Sequence, residues 1–253
     1  MSGARAAANF CAVLLAGLAL WQIAASLAGA DLVVPPVTTF AQIGVLTQRP
    51  SFWANVEATL FAFVCAAGIA VALGVVLGAW LGNSRVAGDT GEPLLMSLGS
   101  LPKVTLYPVV LMFCGLTLSA KITFGVLHGI VPITLFTMGA VRNIPPIVRR
   151  IGRLHNFSPA RQLLSLLIPA AFPEIFSGIR IGISVTLLGV VLGEMFASTR
   201  GLGTMLMNAI GLADLPTVAA VTLILVGSAT LLSMVMMWLD RRIHRRAAAE
   251  RSS

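Results

Sequence analysis

Six long apolar runs, separated by short polar intervals, dominate the sequence. They cover residues 9–27, 57–81, 93–115, 122–141, 175–197 and 215–239. Each run is about 19 to 25 residues long, close to the length that a helix rising about 1.5 Å per residue needs to cross the hydrocarbon of a bilayer. The pattern therefore predicts an all-α, polytopic membrane protein with about six transmembrane helices.

Composition agrees with this prediction. Hydrophobic residues make up 57% of the 253 residues and charged residues only 10%, and the mean hydropathy of +0.94 lies far outside the usual range of soluble proteins. The net charge of +8 would suit a nucleic-acid partner. The basic residues form two clusters beside apolar runs, however, which favours a membrane surface. We therefore expect membrane lipid as a partner and no nucleic acid.

The distribution of Lys and Arg predicts the orientation. Counted on alternate sides of the six runs, twelve lie on the side that holds both termini and three on the other. Positive residues mark the cytoplasmic side, so both termini and the interval after residue 142 are expected in the cytoplasm. The first run also resembles a cleaved signal peptide, but its length and the many runs after it favour a retained helix.

Glycine and cysteine positions predict packing rather than chemistry. Gly74, Gly78 and Gly82 recur at intervals of four, which places them on one helix face where a neighbouring backbone can approach closely. The three cysteines are far apart and lie inside apolar runs, so they have the spacing of neither a disulfide framework nor a metal site. The interval 31–55 contains two proline breaks and is expected to be an extended external loop that carries a short surface helix.

The interval 142–175 is basic and rich in proline. Asn143 is positioned to cap a helix with Pro145 and Pro146 in its first turn, and this helix should run to about Leu154. Its apolar residues Ile147, Val148, Ile151 and Leu154 fall on the side opposite to Arg149, Arg150 and Arg153. Such a helix suits either an anionic lipid surface or a soluble docking partner.

A turn and a second helix are predicted to follow. Asn156 tolerates the left-handed conformation that ends helices. Ser158 then caps a second helix with Pro159 at its first position. Pro169 is expected to interrupt this helix, and Pro173 to restart the chain as the fifth span. The two short helices are thereby joined to the base of a transmembrane helix and could transmit a push.

The sequence lacks the common motifs of nucleotide and peptide-bond hydrolysis. It has no Gly-rich phosphate loop ending in Lys-Ser/Thr, no His-Glu-x-x-His and no Gly-x-Ser-x-Gly. We therefore expect this chain not to be an enzyme, so the energy for any active transport would have to come from elsewhere.

Several short segments, spread over most of the chain, have a recognisable order and spacing. They are 101–103 (LPK) with Pro108, 113–115 (FCG), 167–173 (LIPAAFP), 178–180 (GIR), 194–198 (EMFAS) and 201–203 (GLG). Together they resemble the permease subunits of bacterial ABC importers, in the branch that handles nitrate, sulfonates, taurine and related small compounds. The resemblance implies a type I ABC importer transmembrane domain in the bacterial inner membrane.

The resemblance also implies the domain layout and the partners. The chain would be one permease domain, 1–253, with a cytoplasmic coupling region 142–175 and a basic tail 240–253. Its partners would be a second copy of the chain, two ATP-binding cassette subunits and a periplasmic or lipid-anchored solute-binding protein. ATP and Mg would be bound by the ATPase subunits and no cofactor by this chain. The solute would be small and anionic or zwitterionic, or a vitamin precursor.

The resemblance implies one set of functional residues, and the apolar runs themselves suggest a second. The ATPase-coupling residues would be Arg149, Arg150, Arg153, Asn156, Phe157 and Ser158. Where the family usually has Glu-Ala-Ala and a later glycine, this chain has residues 150–152 (RIG) and an asparagine. The candidates for the translocation pathway are Pro102, Lys103, Pro108, His128 and Glu194, because prolines and ionisable residues at membrane depth are tolerated only against protein or water.

Each ionisable residue in this second set also has a structural interpretation. Lys103 can extend to the cytoplasmic surface, His128 can be a satisfied core histidine, and Glu194 can be hydrated near the external end of its helix. For the whole chain, the alternatives are a secondary transporter or channel driven by an ion gradient, and a membrane scaffold whose basic region binds lipid.

Overall fold

The computed structural model describes residues 3–29, 32–154 and 157–252, which form α-helices joined by short turns. The helices are α1 (Gly3–Ala28), α2 (Pro36–Thr47), α3 (Pro50–Asn83), α4 (Arg85–Ser100), α5 (Tyr107–Cys114), α6 (Leu118–Arg142), α7 (Pro146–Leu154), α8 (Pro159–Gln162), α9 (Ile168–Ala197), α10 (Leu202–Gly211) and α11 (Leu215–Ser252). A 3₁₀ turn, Lys103–Leu106, precedes α5, and a π-helical turn, Leu163–Leu167, precedes α9.

The prediction of an all-α protein with several membrane spans is confirmed. Four segments are long and apolar enough to cross a bilayer: Pro50–Asn83, Leu118–Arg142, Leu163–Phe196 and Leu215–His244. The pair Arg85–Ser100 and Lys103–Cys114 adds a fifth if it is counted as one span, although it bends by 91°. The apolar part of α1 within the described residues is shorter, Leu15–Ala28. The described residues thus hold four or five such spans against the six expected.

A three-helix bundle of α3, α6 and α9 forms the centre of the protein, with α6 in the middle. A Cβ atom at Gly78 would lie 2.5 Å from the Thr134 carbonyl oxygen, and one at Gly82 would lie 2.7 Å from that of Met138. The predicted close approach along the glycine face of α3 is therefore confirmed. On the other side of α6, a Cβ at Gly129 would meet Thr186 and the backbone of α9.

The predicted external loop, residues 31–55, is largely helical. It contains α2 and the first turns of α3, which begins at Pro50. α2 packs against α11, where the Gln42 amide donates to the Thr217 hydroxyl at 2.8 Å. Buried Leu46 and Phe52 add an apolar contact to the same helix. The expected short helix is thus present, but it packs against the protein.

The unit formed by α4 and α5 lies beside the bundle and packs more loosely. Pro102, which has no amide hydrogen to donate, lies at the break between the two helices. Pro108, the other pathway candidate among the prolines of this apolar run, lies in the first turn of α5, where a proline is compatible with the helix. Met112 and Phe113 on α5 are 84% and 87% exposed, so this chain alone leaves them uncovered.

Candidate functional site

The first short helix of the basic region begins later than the sequence indicates. α7 starts at Pro146, and Asn143 instead ends α6, with its amide donating to the Gly139 carbonyl at 3.0 Å. The prediction that Asn143 caps α7 is therefore wrong. Ile144 and Pro145 each precede a proline, which disfavours the helical conformation and separates Asn143 from the start of α7.

The second short helix begins where it was predicted. Pro159 is its first residue, and the Arg161 amide donates to the Ser158 hydroxyl at 3.3 Å. The N-terminal cap by Ser158 is thus confirmed. Between the two helices, the Phe157 amide donates to the Gly152 carbonyl at 3.0 Å, a bond that closes the end of α7. Asn156 lies outside the described residues, and its role stays a prediction.

The connection into α9 differs from the prediction. Pro169 does not interrupt the chain, because the π-helical turn Leu163–Leu167 leads directly into α9 and places Pro169 in its first turn. Pro173 lies inside α9 without ending it. α9 therefore begins at Ile168, and the second short helix continues into it through the π-helical turn. Continuous helix thus joins Ser158 to α9, through which a displacement at Ser158 could reach the membrane-spanning part of the chain.

An apolar cluster attaches both short helices to the central bundle. Its buried members are Ala79, Ala140, Val141, Ile144, Leu167, Ala171 and Ile175. Val148 of α7 and Leu163 of the π-helical turn pack against it. α7 also lies tightly on the next helix, because a Cβ at Gly152 would be 2.8 Å from the Gln162 side chain. One face of α7 thus packs mainly on the π-helical turn, and Val148 reaches the cluster to which α3, α6 and α9 contribute.

The other face of α7 is open to the surroundings. Ile147 and Leu154 are 61% and 80% exposed, and Arg150 is exposed on the same face, so the expected placement of these two apolar residues opposite to Arg150 is wrong. The Arg161 guanidinium lies 4.5 Å from the centre of the Phe157 ring. Arg149 and Arg153 belong to the same helix. This surface of apolar and basic residues could dock on a soluble protein or lie on anionic lipid.

The predicted pathway residues separate into an exposed group and a buried group. Pro102, Lys103 and Pro108 lie at or near the break between α4 and α5 and are at least partly exposed. The Lys103 ammonium donates to the Gly99 carbonyl at 3.2 Å. His128 is instead buried in α6, with its Nδ1 atom 2.8 Å from the Phe124 carbonyl oxygen. That is the geometry of a core histidine whose hydrogen bond is satisfied within its own helix.

Glu194 is the centre of a buried polar cluster near the end of α9. Its side chain is only 1% exposed. The Thr59 hydroxyl and the Gly203 amide donate to its Oε2 atom at 2.8 and 3.1 Å, and the Lys121 ammonium lies 3.4 Å from Oε1. Lys121 also donates to the Arg200 carbonyl at 2.9 Å. Each charge therefore has an opposite charge and further hydrogen bonds, which a buried ion pair needs.

The Gly-Leu-Gly motif wraps around this carboxylate. Gly201 has φ +139°, and a Cβ atom there would collide with the Glu194 carboxylate. The Leu202 amide donates to the Thr59 hydroxyl at 2.8 Å, and the Thr204 hydroxyl to the Glu194 carbonyl at 3.0 Å. The motif and the acid, seven residues apart in the sequence, thus form one unit that fixes the start of α10 to α3 and α9.

A cavity of about 380 Å³ lies beside this cluster, on the predicted external side. Lys121, Glu57 and Arg200 contribute its charged lining, with Thr117, Ser198 and Thr199 among its other residues. Because Lys121 is already bonded to Glu194 and to the Arg200 carbonyl, its charge is satisfied within the wall.

Sequence reasoning missed Lys121 and Thr59 as partners of Glu194. The apolar run 122–141 begins just after Lys121, whereas α6 begins at Leu118 and includes it. The available signal was that Lys121 and Glu194 lie at the predicted external ends of two neighbouring spans, where opposite charges can pair. The pairing of Arg142 with α4 was missed in the same way.

Comparison with known proteins places most of the chain in one family. Residues 70–248 match the family described as "Binding-protein-dependent transport system inner membrane component". The chain is 28% identical over 225 residues to the "Probable ABC transporter permease protein" of Haemophilus influenzae, covering 89% of this chain and 92% of that protein. It is 28% identical over 205 residues to "Nitrate import permease protein NrtB" of a Synechocystis strain, covering 76% and 73%.

A solved structure shows the same fold. A chain of the MetNI methionine ABC transporter, in inward facing conformations, superposes with a TM-score of 0.65 at 18% identity. The superposition covers 79% of this chain and 98% of that one. At this identity, the likeness concerns the arrangement of helices alone.

Proposed function

This chain belongs to the family of binding-protein-dependent transport system inner membrane components, and from that premise we propose that α7 and the turn after it dock on an ATPase subunit and drive solute import. The chain is an inner-membrane permease subunit of an ABC importer, as the sequence predicted. The proposal concerns where the ATPase binds, how the solute crosses and which solute it is.

The exposed face of α7 supports the docking role. Exposed apolar residues in water are costly unless a partner covers them. Leu154, the last residue of the basic helix α7, is 80% exposed. On the opposite face, Val148 packs against the apolar cluster that joins α3, α6 and α9, and α7 lies on the π-helical turn that leads into α9. A partner bound to the exposed face would therefore act on the whole bundle. ATP and Mg would be bound by that partner.

The break between α4 and α5 supports the position of the pathway. It presents Pro102 and Lys103 on the surface of the chain, and α5, which follows the break, carries the uncovered Met112 and Phe113. A second copy of the chain would cover these residues and enclose a passage between the two copies. In this arrangement Pro102, Lys103 and Pro108 line the passage, while His128 and Glu194 support its wall from the core.

The solute is proposed to be small and anionic or zwitterionic. Lys103 offers a positive charge at the break, and the Synechocystis relative is named for nitrate import. Taurine-like compounds, sulfonates and vitamin precursors fit the same proposal. Selectivity would lie mainly in the solute-binding protein that delivers them.

A substitution on α7 tests the docking role. We predict that Leu154→Glu will reduce co-purification of the ATPase subunit about tenfold or more, because it buries a charge in an apolar contact. Leu212→Glu is the matched control, since Leu212 is 81% exposed but lies beyond the end of α10, on the predicted external side. The proposal is wrong if both variants bind the ATPase as the unchanged chain does. Equal loss in both variants would contradict it as well.

A further inference from the structure

Arg142, the last residue of α6, holds the start of α4 through two ion pairs. Its Nη2 atom lies 2.7 Å from Asp89 Oδ1, and its Nη1 atom lies 2.8 Å from Glu92 Oε2. The two acids are three residues apart on α4 and therefore share a face. Both terminal nitrogens of the guanidinium are engaged, which fixes its direction as a single ammonium could not.

The backbone of α4 is shaped to receive this guanidinium. A Cβ atom at Gly88 would collide with the Arg142 side chain, and it would also lie 2.6 Å from the Leu81 carbonyl oxygen of α3. Gly88 is the one residue of α4 that is buried. The guanidinium thus lies directly against α4, where any larger residue would displace it.

The same arginine is close to α7 along the chain. Asn143 ends α6, Ile144 packs in the apolar cluster with Val148, and Pro146 begins α7. A cavity of about 700 Å³, lined by Asp89, Arg142, Ile144 and Pro146 among others, lies at the start of α4 and of α7. The two ion pairs of Arg142 span this region and join α4 to the segment that leads into α7.

We infer that Arg142 is a positioning residue that ties α4 to α7, so that a displacement of α7 reaches the break at Pro102 and Lys103. This inference rests on the proposed docking of α7 on an ATPase. The positive-inside rule alone would explain an arginine at this place. It does not explain two carboxylates and a buried glycine that fit the guanidinium.

The test uses the permease–ATPase complex in membrane vesicles, and it needs no knowledge of the solute. The native cysteines are replaced by alanine, and Leu101→Cys places a thiol at the break, where Leu101 is 47% exposed. The rate of maleimide labelling is measured without nucleotide and with ATP and vanadate. We expect ATP and vanadate to change this rate about fivefold or more, a typical size for coupling between two sites.

Arg142→Met should abolish this response while the ATPase still co-purifies, and Arg142→Lys should restore part of it. Arg85→Met is the matched control: Arg85 lines the same cavity, has no ion pair among the described residues, and should leave the response unchanged. Asp89→Asn with Glu92→Gln acts from the surface of α4. This pair should give the same loss, because it removes the same two ion pairs from the other side.

A full response in Arg142→Met or in the Asp89 and Glu92 variant, with the ATPase bound, would overturn the inference and leave the docking proposal intact. Equal loss in Arg85→Met would overturn it too, since any change of surface charge would then suffice. The inference is also wrong if ATP and vanadate do not change the labelling rate in the chain that retains Arg142. Failure of the ATPase to bind the unchanged chain would overturn the docking proposal, and the inference with it.

Discussion

The Glu194 cluster and the exposed face of α7 differ in whether their side chains have partners within the chain. Glu194 is 1% exposed and has its partners within the chain, from α3, α6 and the start of α10. On the exposed face of α7, the side chains of Ile147, Arg150 and Leu154 are open to the surroundings. The first region has its partners within the chain, whereas the second leaves apolar side chains exposed that a partner could cover. We propose that the external end of the bundle is a fixed frame and that the exposed face of α7 receives the driving force.

Among the substitutions that test this comparison, Glu194→Gln should change the free energy of unfolding most. The change leaves the Lys121 ammonium buried without its opposite charge, which costs about 3–5 kcal/mol in the free energy of unfolding. Lys121→Met should cost a similar amount, and the double variant should cost less than the sum of the two. Unfolding in mixed detergent micelles measures all three.

Glu57→Gln is the control for that series. Glu57 is exposed and lines the neighbouring cavity, so its loss should change stability by no more than about 0.5 kcal/mol. If Glu194→Gln lowers the free energy of unfolding by no more than Glu57→Gln does, the external end of the bundle is not a fixed frame.

A smaller effect is expected from Gly78→Val. The valine would press on the Thr134 carbonyl and the Thr137 side chain, and such overpacking typically costs about 1–3 kcal/mol. Gly68→Val in the same helix is the matched control, because nothing lies within 4 Å of a Cβ atom there. Thermal unfolding of the two variants measures the difference. Equal midpoints would mean that the contact between α3 and α6 is looser than described.

The helical class, the span positions and the glycine face of α3 could be predicted because each depends on a local pattern of apolar or small residues. The Ser158 cap was predictable for the same reason. The break within the run 93–115 could not be located from its prolines alone, because a proline can end a helix or occupy its first turn: Pro102 lies at the break, whereas Pro108 lies in the first turn of α5. The ion pairs of Lys121 and Arg142 join residues that are 73 and about 50 positions from their partners. No local pattern contains that information.

The central claim is that ATP hydrolysis on another chain, acting through α7, drives solute import. Its most direct test is uptake by proteoliposomes of a solute that the binding protein retains, such as nitrate or taurine. We predict uptake only when the permease, the ATPase with ATP and the binding protein are all present, and its loss in Leu154→Glu but not in Leu212→Glu. Accumulation by the purified permease alone, under an ion gradient and without any ATPase, would contradict the claim.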